Sequence, residues 1–148
     1  MQRQRPSELK SKGTQSATKG VNMAAKPANA AQKQWMSDIA GWAVENIGFL
    51  YGQEYNGALV QLHHVLGRSA KHNKIAIGHW FILPVPYELH DVSGNSIFNV
   101  THHKHSFTNK FGNQRDLFGK MISDMGNAMD GHQTPPFNVV LSIMDTTA

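Results

Sequence analysis

The residues with the clearest chemical potential are histidines. The chain has nine, and eight lie between His63 and His105: His63, His64, His72, His79, His90, His102, His103 and His105. Imidazole titrates near neutrality and is the commonest protein ligand for metal ions. A lone histidine is ordinarily a surface or satisfied core group. Eight in one short span point to a metal site or to proton transfer, with a histidine-rich surface loop as the plain alternative. The His63-His64 pair stands out, because it closes the apolar stretch Ala58 to His64, which reads as a strand. Adjacent strand residues face opposite sides. For both to act, the backbone must twist there, or one must reach a metal while the other reaches the substrate.

Basic residues lie in and beside the same span. A guanidinium forks onto phosphate oxygens, so Arg68 is a candidate to hold a phosphate, with a loop-capping role as its alternative. Lys71, Lys74 and Lys104 are candidates to track a nucleic-acid backbone, although each alone is ordinarily a solvated charge. Hydrolysis of a phosphodiester needs an activated water, a cation to stabilise developing charge, and positioning. The residue types present suit that chemistry. His72 and His79 read as structural or substrate-side groups, His105 as a solvent-facing one. Trp80 and Phe81 read as core, Tyr87 and Glu88 as exposed helix residues.

These side chains need elements to hold them. Trp35, Met36, Ile39 and Ala43 recur near helical spacing, which predicts a helix over Gln34 to Asn46 with Gly48 as its terminator. Residues 51–57 carry turn chemistry, and Gly67 to Gly78 reads as a loop. Trp80 to Val85 is apolar and strand-length, stopped by Pro84 and Pro86. Pro86 to His90 suits a short helix, and Asp91 to Asn99 a polar loop. Two helices follow, Lys104 to Phe111 and Gln114 to Met129, joined at Gly112-Asn113. Leu117, Phe118, Met121, Ile122 and Met125 share one face of the second. The segment PFNVVLSIM near the end fits a strand or a docked tail equally well. No internal repeat is visible.

Length and composition frame one domain of 148 residues. There is no cysteine, which removes disulfides, thiolate chemistry and cysteine-held zinc. No apolar run approaches the roughly 20 residues of a membrane span, and no secretory leader is visible. A cytoplasmic protein is expected. The net charge of +4 is uneven. Up to Gln34 seven basic residues (Arg3, Arg5, Lys10, Lys12, Lys19, Lys26, Lys33) face one acid, Glu8, whereas the remainder is slightly acidic. Residues 1–33 therefore read as a disordered basic arm drawn to phosphates, residues 34–130 as the domain, and 131–148 as a C-terminal tail.

Three segments in order carry a family resemblance. LHHVLGR (Leu62 to Arg68) resembles the LHHxxGR signature of the phage recombination-enhancement (Ref-like) HNH, or His-Me finger, endonucleases. HWFILPVPYELH (His79 to His90) resembles their apolar segment that leads through a proline to histidine. KHSFTNKFGNQRDLF (Lys104 to Phe118) resembles the next, with its lysine, aromatic-glycine pair and helix. The likeness covers about residues 41–120. It implies an α+β fold with a small ββα-metal core and flanking helices. It also implies metal-dependent hydrolysis of DNA, leaving a 5′-phosphate and a 3′-hydroxyl. His64 would be the general base and Arg68 would orient the phosphate. His63, His90 and one of His102 or His103 would hold a divalent ion, Mg²⁺ or Mn²⁺ first and Zn²⁺ as a further option. The setting implied is phage recombination or repair in a bacterial cell, on single-stranded or branched DNA, with a recombinase filament as a possible partner.

The departures are specific. The family's structural zinc ligands fall here on Trp42, Glu45, Pro86 and Leu89, so no structural zinc is expected, and packing by Trp42 and Leu89 would take its place. Phe81 stands where the middle asparagine of the HNH pattern would be. Thr101 holds the nominal position of the third metal ligand, so a shift to His102 or His103 is required. Two other classes stay open. One is a non-catalytic nucleic-acid-binding module with this fold. The other is a histidine-rich metal-binding or structural phage protein.

Overall fold

Asn29 starts the first helix through a reciprocal cap. Its side chain accepts from Gln32 N at 2.8 Å, and the Gln32 side chain accepts from Asn29 N at 2.9 Å. The computed structural model describes residues 26–91, 93–128 and 134–148. Helix α1 runs Ala30–Tyr51, earlier and longer than the expected 34–46. Ala30 to Lys33 lack apolar periodicity, but they are good helix formers behind a strong cap. Most of the proposed arm, residues 1–25, lies outside the described residues. At the other end Gly48 is an interior helix residue; α1 stops at Gly52, whose φ of 113° disfavours any other residue.

After α1 comes a short 3₁₀ turn, Gln53–Tyr55, and then strand β1, Val60–His64. A small hairpin follows, β2 (Lys71–His72) paired with β3 (Ile75–Ala76), inside what reads from sequence as a plain loop. Strand β4, Ile82–Pro86, returns antiparallel to β1, with His63 opposite Leu83 and His64 opposite Ile82. The chain then forms α2 (Tyr87–His90), α3 (Lys104–Phe111), α4 (Gln114–Ala128) and α5 (Phe137–Met144). The fold is α+β, with five α-helices and two small antiparallel sheets among the described residues. None of these helices is long and apolar enough to cross a membrane.

Pro84 and Pro86 lie within β4 instead of stopping it, and the ladder explains why. Val65 N donates to Phe81 O and Tyr87 N to Leu59 O, flanking the strand pair. In an antiparallel pair such bonded positions alternate. Positions 82, 84 and 86 therefore point their backbone groups away from β1, where a proline removes no ladder bond. Helix α1 covers that outer side. Tyr51 Oη donates to Pro84 O at 2.8 Å, and Trp35 Nε1 to Trp80 O at 2.9 Å.

One core unites these elements. Trp35, Ile39, Trp42, Ala43, Ile47 and Leu50 form the buried face of α1, and all of β4 is buried. Phe118 from α4 meets Trp35 and Phe81 edge-on, at 6.3 and 5.2 Å between centroids. The C-terminal segment is a helix. Val139 and Ile143, four apart, enter the core, while Phe137, Leu141 and Met144 face outward. Its largely apolar composition, with only Asn138 and Ser142 polar, hides this periodicity, and Pro136 sets its start. Ser142 Oγ donates to His72 O at 2.8 Å, and Asp145 bonds His72 and Asn73, so α5 is fastened to the β2–β3 hairpin.

Candidate active site

Strand β1 alternates, and its two histidines part company. Gln61 and His63 face the end of α2, whereas His64 faces the turn before β4. On the first side His90, the last residue of α2, brings Nε2 to 3.1 Å from His63 Nδ1, with the rings 4.9 Å apart and steeply tilted. The helix is only one turn long. Its direction is set where β4 ends, by Tyr87 N on Leu59 O, and by Val100 N donating to Leu89 O.

The protonation of this pair follows from its neighbours. His90 Nδ1 bonds Gln61 Oε1. A carbonyl oxygen only accepts, so Nδ1 carries the proton and Nε2 keeps its lone pair towards His63. Burial first, then the nearby His90 and His64 and to a lesser degree Lys104, lower the His63 pKa to about 4. Gln114 works in the opposite direction, favouring the protonated form. Burial also lowers His90, against the pull of Asp91. Both imidazoles are thus neutral at pH 7, the state in which imidazole ligates metals.

The pair fits two ligands of one ion. Donors about 2.1 Å from an ion and roughly 90–110° apart lie about 3.0–3.4 Å from each other, which spans the observed separation. The Gln61 contact supplies the outer partner that orients a metal-binding histidine. His102 and His103 are both exposed, on the turn before α3. Among the described residues no three His, Cys, Asp or Glu side chains are grouped to hold an ion. The geometry therefore brings His63 and His90 together and leaves the expected third histidine outside the group.

On the second side His64 Nε2 lies 3.4 Å from His79 Nδ1, and His79 Nε2 lies 2.6 Å from the carbonyl oxygen of Lys26. Burial lowers the His64 pKa, and His79 and Arg68 add to the effect. Arg68 is exposed close to His64, on the loop whose backbone packs against Gly78; a Cβ there would meet Arg68 O at 2.0 Å. Lys71, Lys74 and Lys104 are exposed as well.

Three contributors are not evident from sequence. Gln61 and His79 each act through a contact to a residue far along the chain, Asn99 through contacts close by. Asn99 is fully buried. Its Oδ1 accepts from Thr101 N and His102 N at 2.9 Å, and its Nδ2 donates to Asp91 O at 3.0 Å. It shapes the turn that carries His102, His103 and Lys104. For Gln61 the available signal was its position two residues before His63, on the same strand face. Phe81 is core, fully buried. Of the positions matching the family's zinc ligands, Trp42, Leu89 and Pro86 are buried and Glu45 is exposed. Trp42 Nε1 donates to Asp124 Oδ2 at 2.8 Å, tying α1 to α4.

No known protein family, curated protein or solved structure matches the chain.

Proposed function

We propose that this chain is a metal-dependent endonuclease with an HNH-like ββα-metal core, acting on DNA phosphodiesters in phage recombination or repair. The observation that carries the reading is the apposition of His63 and His90 beside His64. Two neutral imidazoles stand at metal-ligand spacing, and a third is the next residue in the strand, facing the other way. The order of strand, returning strand and helix that makes this juxtaposition is the order the family resemblance implies. A divalent ion held by His63 and His90 would stabilise negative charge on the phosphate and on the departing oxygen.

In this reading His64 takes a proton from water. The oxygen left behind attacks phosphorus, the bond from phosphorus to the 3′-oxygen breaks, and that oxygen takes a proton from solvent. One water is consumed. Arg68 orients the phosphate, and Lys71, Lys74 and Lys104 follow the strand. The test is nicking of supercoiled and single-stranded DNA with Mg²⁺ or Mn²⁺. His64→Ala is expected to lose roughly 10²–10⁴-fold in rate while still binding DNA. Equal cleavage by both proteins would refute the assignment of the base.

One observation favours a second reading, a nucleic-acid-binding module without catalysis. His102 and His103 stay outside the His63–His90 group. In that case neither protein cleaves, and both bind DNA with the same salt dependence.

A further inference from the structure

Gln114 opens α4 and is 2% exposed. Its carboxamide stands beside His63. From there it favours the protonated imidazole, yet its buried Oε1 meets no donor at hydrogen-bond geometry among the described residues. An unpaired buried carbonyl costs about 1–3 kcal/mol. In a folded protein such a group calls for a reason, and serving as a ligand is one. His63 in turn brings Nδ1 to 3.1 Å from His90 Nε2. They are both nitrogens, whereas Mg²⁺ and Mn²⁺ favour oxygen. An amide carbonyl is a hard, neutral oxygen ligand of the kind this pair lacks.

We propose that Gln114 Oε1 is the third protein ligand of a divalent-ion site whose other ligands are His63 and His90. The assignment rests on the metal-dependent reading only in requiring an ion at these two histidines. It has a consequence for affinity. All three donors are neutral, Lys104 is close enough to His63 to influence it, and the N-terminal end of α4 carries positive partial charge. The free protein therefore holds its ion weakly, and the phosphodiester supplies the missing negative charge. Mn²⁺, which tolerates nitrogen better, binds more tightly than Mg²⁺.

The test measures Mn²⁺ binding to the full chain by calorimetry or electron paramagnetic resonance, alongside denaturant unfolding in a chelator. Gln114→Leu keeps the volume and removes the oxygen. It is expected to weaken Mn²⁺ binding by roughly tenfold or more, with the metal-free protein as stable as before or more so. Gln114→Glu keeps the shape and adds charge, and is expected to tighten Mn²⁺ by a similar factor. Unchanged Mn²⁺ affinity in both variants overturns the proposal. So does a leucine variant that loses metal-free stability together with Mn²⁺ binding, since Gln114 would then be holding an N–H of His63. A wild type that binds no Mn²⁺ at millimolar concentration removes both the ion site and this ligand. A wild type that binds Mn²⁺ through Gln114 but never nicks DNA keeps the ligand and removes the nuclease.

Discussion

His63 and His64 are consecutive in β1, and each meets a different histidine: His90 at 3.1 Å on one face, His79 at 3.4 Å on the other. The strand's alternation separates a pair of candidate ligands from a candidate base without any twist in the backbone. The two roles are therefore open to separate perturbation.

Gln61 acts on the His63–His90 pair through His90. Gln61→Leu leaves His90 free to rotate and to exchange tautomers. Metal affinity is expected to fall by roughly 10–100-fold, with DNA binding in chelator unchanged. Titration with Mn²⁺ checks the first part and fluorescence anisotropy the second. A leucine variant with wild-type Mn²⁺ affinity would show that the Gln61 contact orients nothing.

His79 should matter to turnover more than to binding. Its Nε2 donates to the Lys26 carbonyl, so neutral His79 offers Nδ1 as an acceptor to His64 Nε2–H. His64 Nδ1 is then the basic atom. His79→Phe removes the acceptor at similar size, and kcat should drop roughly tenfold to a hundredfold with KM little changed. His79→Gln restores an acceptor and should recover part of the loss. Equal kcat in both variants would reduce His79 to a packing group.

The burial of His63 and His90 makes the protein acid-sensitive in the absence of added metal. The folded His63 value of about 4 lies below the ordinary 6.5. The unfolded chain thus takes up a proton first as pH falls. Stability should be constant above about pH 7, decline between about 6.5 and 4, and level off below, with His63 contributing at most about 3 kcal/mol. Burial lowers His90 as well, in the same direction. Urea unfolding in chelator across this range tests it. His63→Gln should flatten the slope, and an unchanged slope would place the titration elsewhere.

Asn99 holds its turn through three hydrogen bonds and is fully buried. Asn99→Ala removes the buried acceptor shared by the N–H groups of Thr101 and His102, while Asp91 O keeps its bond from Gly94 N. A loss of about 2–3 kcal/mol is expected in denaturant unfolding. A change below about 0.5 kcal/mol would mean that water replaces the side chain at no cost.

Periodic segments were the most readable from sequence. The stripe Leu117, Phe118, Met121 and Met125 in α4 lies where its pattern puts it, and the apolar run Trp80 to Val85 yields a strand that starts at Ile82 and runs through Pro86. What escaped was local chemistry overridden by context. Ala30 to Lys33 look like arm until Asn29 is seen as a cap. Pro84 and Pro86 look like breakers until the bonded positions of the ladder are known. Phe137 to Met144 hides its helix because apolar residues fall on nearly every face. At the site, the His63–His90 pairing was anticipated from family resemblance. The glutamines were not, because an amide has no distinctive spacing and acts only through a partner brought near by folding.

The fastening of α5 to the β2–β3 hairpin has a thermodynamic corollary. The segment between β1 and β4 carries Arg68, Lys71 and Lys74, and Ser142 and Asp145 pin it at His72 and Asn73. A segment already ordered gives up little conformational freedom when a polyanion arrives. If the chain binds DNA as proposed, α5 would set the entropy of an encounter in which it takes no direct part, and detaching it would weaken association while leaving every basic side chain in place.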